Sequence, residues 1–124
     1  MLPGYYPLYP RGAGAATGPL PPGHVMVSRW VGEAEARMWM GSGATHVPPG
    51  LGAGGHLSVG EFGASRIPGT DPIRIDFSFP KAGLQKGGRT DWKFIIQVVA
   101  NVPIYNVVVW VPVSVAAFRI TGKK

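Results

Sequence analysis

Between Ile73 and Phe79 the chain reads IRIDFSF, with apolar and polar residues in strict alternation. Ile73, Ile75, Phe77 and Phe79 point one way and Arg74, Asp76 and Ser78 the other, which is the period of a strand with one face on a core. Pro72 and Pro80 bracket the run. HVMVSRWV, from His24, alternates in the same way and predicts a second strand over 25–31. After Gly32, EAEARMWM sets Glu33, Glu35, Arg37 and Trp39 against Ala34, Ala36, Met38 and Met40. These residues have good helix propensity. The run is short and closed by Gly32 and Gly41, however, so the alternation predicts a strand over 33–40. A weaker strand is expected from His56 to Phe62.

Three further strands crowd the C-terminal half: WKFIIQVVA (92–100), IYNVVVWV (104–111) and VSVAAFRI (113–120). The first is almost wholly apolar after Lys93, as befits a strand covered on both faces. Short prolyl breaks between them predict consecutive antiparallel pairing. The expected core gathers Phe77, Phe79, Phe94, Ile96, Val98 and Trp110. Seven strands and no helix predict an all-β fold: an antiparallel β-sandwich, jelly-roll-like, over residues 25–124. A small closed barrel is the alternative.

Residues 1–24 break the pattern. MLPGYYPLYPRGAGAATGPLPPGH holds five glycines, six prolines and a single charge, Arg11. It lacks the apolar surface that would offset the entropy of ordering it, so it is expected to form an extended arm held by a neighbouring protein. Residues 41–60 are similar, with seven glycines, two prolines and no Asp, Glu, Lys or Arg. A long loop of this kind in a small domain is expected to pack on something else.

Charge sharpens this picture. Charged residues make up 15% of the chain, against about 25% in typical soluble domains. That surface suits a protein largely covered by partners. The formal charge of +6 lies wholly in residues 64–124, because three arginines balance three glutamates in residues 1–63. A nearly neutral arm is not built to neutralise phosphates, so nucleic acid is an unlikely partner for it. The basic loop with Lys81, Lys86, Arg89 and Lys93, beside Trp92, keeps a small nucleic-acid-binding barrel as a second reading. Residues 94–118 run uncharged for 25 positions. Pro103, Pro112, Gln97, Asn101 and Asn106 favour strands over a membrane span. No signal peptide is read at the N-terminus.

Catalytic chemistry is hard to assemble from these residues. There is no cysteine, and His24, His46 and His56 lack the spacing of a metal site. GLGAGGHLSVG (50–60) resembles a phosphate loop only in its glycines, for no helix is expected after it. No cofactor, metal or catalytic residue is expected. The residues expected to contact a partner are Tyr5, Tyr6, Tyr9 and Arg11 in the arm, His46 and Leu51 in the Gly-rich loop, and Lys86 and Arg89 in the basic loop. Tyrosine gives contact area with few rotors and a polar tip, and the prolines at 3, 7 and 10 favour an extended path that lowers the ordering cost.

In composition and layout, with its small cysteine-free all-β domain, low charge, extended arm and Gly-rich loop, the chain resembles the cement or decoration proteins of tailed-phage heads. The resemblance implies a capsid-surface position in the virion, many copies, contacts to a major capsid protein and to other copies of itself, and no catalysis. Other minor virion proteins, of head completion or tail, share this plan.

Overall fold

A computed structural model describes residues 2–12, 18–47, 56–62, 72–86, 94–97 and 103–115. The chain is mostly β, with strands β1 (Tyr5–Leu8), β2 (His24–Val31), β3 (His56–Glu61), β4 (Ile73–Pro80), β5 (Leu84–Lys86), β6 (Phe94–Gln97) and β7 (Tyr105–Pro112), and one short helix, α1 (Glu33–Gly41). Five strands form an antiparallel sheet in the order β1-β7-β4-β2-β3, and β3 pairs onward with β6 and β6 with β5. Strands β2 and β4 fall where the alternation places them, and β3 and β7 at two of the other strands expected from the sequence.

The sheet has two different faces. Register pairs Val25 with Phe79, Val27 with Phe77 and Val31 with Ile73, so their side chains share the apolar face. Val107, Val109, Val111, Val59 and Ile104 join the same buried cluster. Helix α1 covers this face, with Trp39 fully buried and its ring 5.0 Å from that of Phe77. The expectation of a strand at 33–40 is thus corrected. A 3.6-residue period puts Ala36, Trp39 and Met40 on one side, whereas a strand would have set Trp39 on the charged side. Glu33 and Glu35 lie in the first turn, where the helix dipole favours acids. Gly43, at φ 78°, turns the chain away just beyond the helix, and a Cβ there would meet the Arg11 carbonyl oxygen at 2.8 Å.

Two other expectations also change. The C-terminal strands do not pair consecutively: β6 lies between β3 and β5, while β7 lies between β4 and β1. Hydrophobic alternation fixes which face a residue takes and leaves the choice of neighbour open. Trp110 does not join Phe77, because it stands opposite Arg74 on the other face of the sheet. Phe94 and Ile96 lie in β6 by backbone; their side chains, and all of Val98, lie outside the described residues. Val113 to Val115 follow β7 as a turn, and the remainder of the strand expected at 113–120 lies outside the described residues. Among the described residues, no helix is long and apolar enough to cross a membrane.

Part of the N-terminal segment enters the sheet, which the sequence did not foreshadow. β1 pairs with β7, with Tyr6 opposite Val111 and Leu8 opposite Val109, and both side chains pack against the core. The Val113 amide donates to the Gly4 carbonyl, so Gly4, Tyr6 and Leu8 turn their backbone groups towards β7 and Tyr5 and Pro7 turn theirs outward. Of the two outward amides, that of Tyr5 donates back to the Leu2 carbonyl and Pro7 has none. No strand lies beyond β1 among the described residues, and its edge lacks the free donors that an added strand needs.

Candidate functional site on the polar face of the sheet

The polar positions of β4 carry most of the chemistry. Arg74, Asp76 and Ser78 face away from the helix, yet all three are buried, Asp76 at 3% and Arg74 at 9% exposure. Cross-strand register sets Trp30 and Trp110 on either side of Arg74, and Ser28 beside Asp76. Arg74 donates from Nε to Asp76 Oδ1 at 2.7 Å and from Nη2 to Oδ2 at 3.3 Å. The Ser28 hydroxyl donates to Oδ1 at 2.7 Å and the Trp110 indole to Oδ2 at 2.8 Å. The carboxylate therefore takes four hydrogen bonds from three side chains. Phe62 stacks over the Arg74 guanidinium at 5.3 Å while remaining 57% exposed. The Tyr5 ring meets that of Trp30 edge to face at 6.1 Å.

A second carboxylate is held the same way on the helix side. Glu35 receives Arg29 Nε at 2.7 Å and Nη2 at 3.0 Å, and the Trp39 indole at 3.1 Å. Each carboxylate thus pairs with one arginine and one tryptophan. Register explains the first partner: Arg29 sits among the valines of β2, on the face that α1 covers.

At the lower end of the polar face, His24 Nδ1 lies 3.1 Å from Ser78 Oγ, and the same oxygen accepts the Tyr105 amide at 3.2 Å. The His24 and Tyr105 rings meet edge to face at 5.6 Å. Burial lowers the His24 pKa below the ordinary histidine value. A bulge makes this geometry: Asp76 pairs with Val108 and Ser78 with Tyr105, so Phe77 alone faces Asn106 and Val107. Asn106 takes the left-handed φ of 57° that asparagine tolerates.

Serine, histidine and aspartate side chains share this face, but their connections are not those of a nucleophilic triad. Ser78 meets Nδ1 of the imidazole, the position a triad reserves for its carboxylate. The carboxylate of Asp76 is instead bound to Arg74, Ser28 and Trp110, and Ser78 is fully buried. Among the described residues, no group of three or more His, Asp and Glu side chains converges to hold a metal ion. The polar face serves chiefly as a lock between β2, β4 and β7.

The residues singled out from sequence do not gather in one place. Tyr5 and Tyr6 are half-buried against their own sheet, on opposite faces of β1, while Tyr9 just beyond is 55% exposed. Arg11 is exposed, and its carbonyl lies close to Gly43. His46 is exposed, with Nδ1 2.9 Å from the Thr45 hydroxyl and its backbone bridged to Pro103. Lys86 ends β5 by backbone; Leu51 and Arg89 lie outside the described residues. Sequence reasoning missed Ser28, Arg74, Asp76 and Trp110. The available signal was a charged pair on a strand whose neighbours on both sides carry a tryptophan.

No family model matches the chain, and neither a curated protein nor a solved structure matches it.

Proposed function

We propose that this chain is a non-enzymatic structural protein of a viral particle, a cement or decoration protein that binds neighbouring capsid subunits through its N-terminal segment and Gly-rich loop. The observation that carries the reading is the contrast between satisfied charge and exposed apolar groups. The buried Asp76 and the half-buried Glu35 are each held by an arginine and a tryptophan, while Tyr9, Leu20, Met38, Phe62 and Val113 stand exposed. Exposed aromatic and apolar side chains suit a protein–protein contact. The blunted edge of β1 supports contact through side chains rather than strand addition. Tyr9 is the tyrosine of the YYPLYP segment best presented for it.

A jelly-roll-like sandwich belongs to the same proposal. Leu84, at the start of β5, packs against the core cluster. That contact supports a sheet that curls through β3, β6 and β5 into a second layer.

A nucleic-acid-binding barrel is the competing class, resting on the basic loop. The proposal expects no appreciable binding of single-stranded oligonucleotides at physiological salt in a filter-binding titration. Micromolar or tighter binding there, falling steeply between about 50 and 200 mM salt, would favour the competing class.

A further inference from the structure

At the corner where the N-terminal segment meets the sheet, the Ser78 hydroxyl lies between His24 and Tyr105. Two contacts hold the segment there, Asn106 Nδ2 donating to the Gly18 carbonyl at 3.2 Å and the Lys81 amide to Gly23 at 2.8 Å, and the His24 amide closes a turn onto Pro21 at 3.1 Å. On the polar face, Ser78 Oγ ties β2, β4 and β7 together. Its lone pair accepts the Tyr105 amide, and among the described residues its single proton has one acceptor within reach, His24 Nδ1. The neutral imidazole then carries its own proton on Nε2.

We propose that this corner is an acid-sensitive clasp, in which protonation of His24 takes the acceptor away from Ser78 and loosens the join between the N-terminal segment and the sheet. An imidazolium has N–H on both nitrogens. Nδ1 then donates to Ser78 Oγ, which already accepts the Tyr105 amide, and the fully buried hydroxyl proton is left without a partner.

Among the described residues, no nearby charge offsets this. Facing the ring are Ser78 on β4 and the Tyr105 phenol on β7, and residues 18–23 bring no titratable side chain. Lys81, just beyond β4, is exposed and cationic. Asp76, the next polar residue along β4, is committed to Arg74, Ser28 and Trp110. Burial favours the neutral ring in the folded state, so its folded pKa lies below the unfolded value of about 6.5. The unfolded state therefore binds more protons in the interval between the two values. Stability rises with pH through that interval and is lost as pH falls below about 6.5.

The test is an NMR titration of the full chain from pH 7.5 to 4.5, following the His24 ring and the Tyr105 amide together. The expected result is a Tyr105 amide shift with the midpoint of the His24 ring. Its hydrogen-exchange protection, corrected for intrinsic rates, should fall about tenfold. In His24→Asn, which cannot be protonated, that acid-dependent loss should vanish; in Ser78→Ala the Tyr105 shift should no longer follow the ring. A Tyr105 amide unmoved while His24 titrates would overturn the clasp. So would an undiminished acid loss in His24→Asn, or an unchanged shift in Ser78→Ala.

Discussion

Replacing Trp39 with alanine is expected to lower the unfolding free energy by about 3–5 kcal/mol, the range for emptying a large aromatic site in a packed interior. Trp39 is fully buried, lies against Phe77 and donates its indole proton to Glu35. Glu35 in turn anchors Arg29 on β2. One side chain therefore fills the space between helix and sheet and helps to hold the ion pair beside it. Urea unfolding monitored by circular dichroism would read the loss. Trp39→Phe, which keeps most of the bulk but not the N–H, should lose less. A Trp39→Ala cost under about 1 kcal/mol would mean that α1 does not seal the apolar face.

Asp76→Asn should be comparably severe, by a different mechanism. The substitution keeps the size but leaves one carbonyl oxygen, which can accept from Ser28 or from Trp110 and not from both, and it removes the charge opposite an arginine that is 9% exposed. Breaking a buried pair on one side costs about 3–5 kcal/mol, because the surviving charge stays desolvated without a partner. In an Arg74→Met background the same change should cost much less, since no charge remains to be stranded. Chemical unfolding of the four proteins gives the coupling energy, expected at roughly 1–3 kcal/mol. A coupling near zero would show that Arg74 and Asp76 do not act as a pair.

Strand identity was legible wherever alternation had one apolar face, as in IRIDFSF and HVMVSRWV. It failed at EAEARMWM, where period 2 and period 3.6 both fit a short run. What decides there is the fit of Trp39 over Phe77, a tertiary contact that no local window contains. β1 was missed for a related reason. YYPL is short and proline-bearing, and it becomes a strand because β7 offers an edge with Val109 and Val111 in register.

The polar lock on β4 was half legible. Alternation put Arg74, Asp76 and Ser78 on one face, but their burial depends on Ser28, Trp30, Phe62 and Trp110, which arrive from three other parts of the chain. The tyrosines divide similarly. Sequence treats Tyr5, Tyr6 and Tyr9 alike, whereas the pleat of β1 turns Tyr6 to the core and Tyr5 to Trp30 and leaves Tyr9 beyond the strand. That division narrows the proposed contact of the N-terminal segment to fewer residues.

Co-sedimentation with capsid shells assembled without this protein tests the proposed function most directly. The full chain is expected to pellet with the shells at physiological salt, and Tyr9→Ser to pellet at least tenfold less at the same concentration while melting at an unchanged temperature, because Tyr9 is 55% exposed and lies outside the core. A full chain that stays in the supernatant with shells present would contradict it.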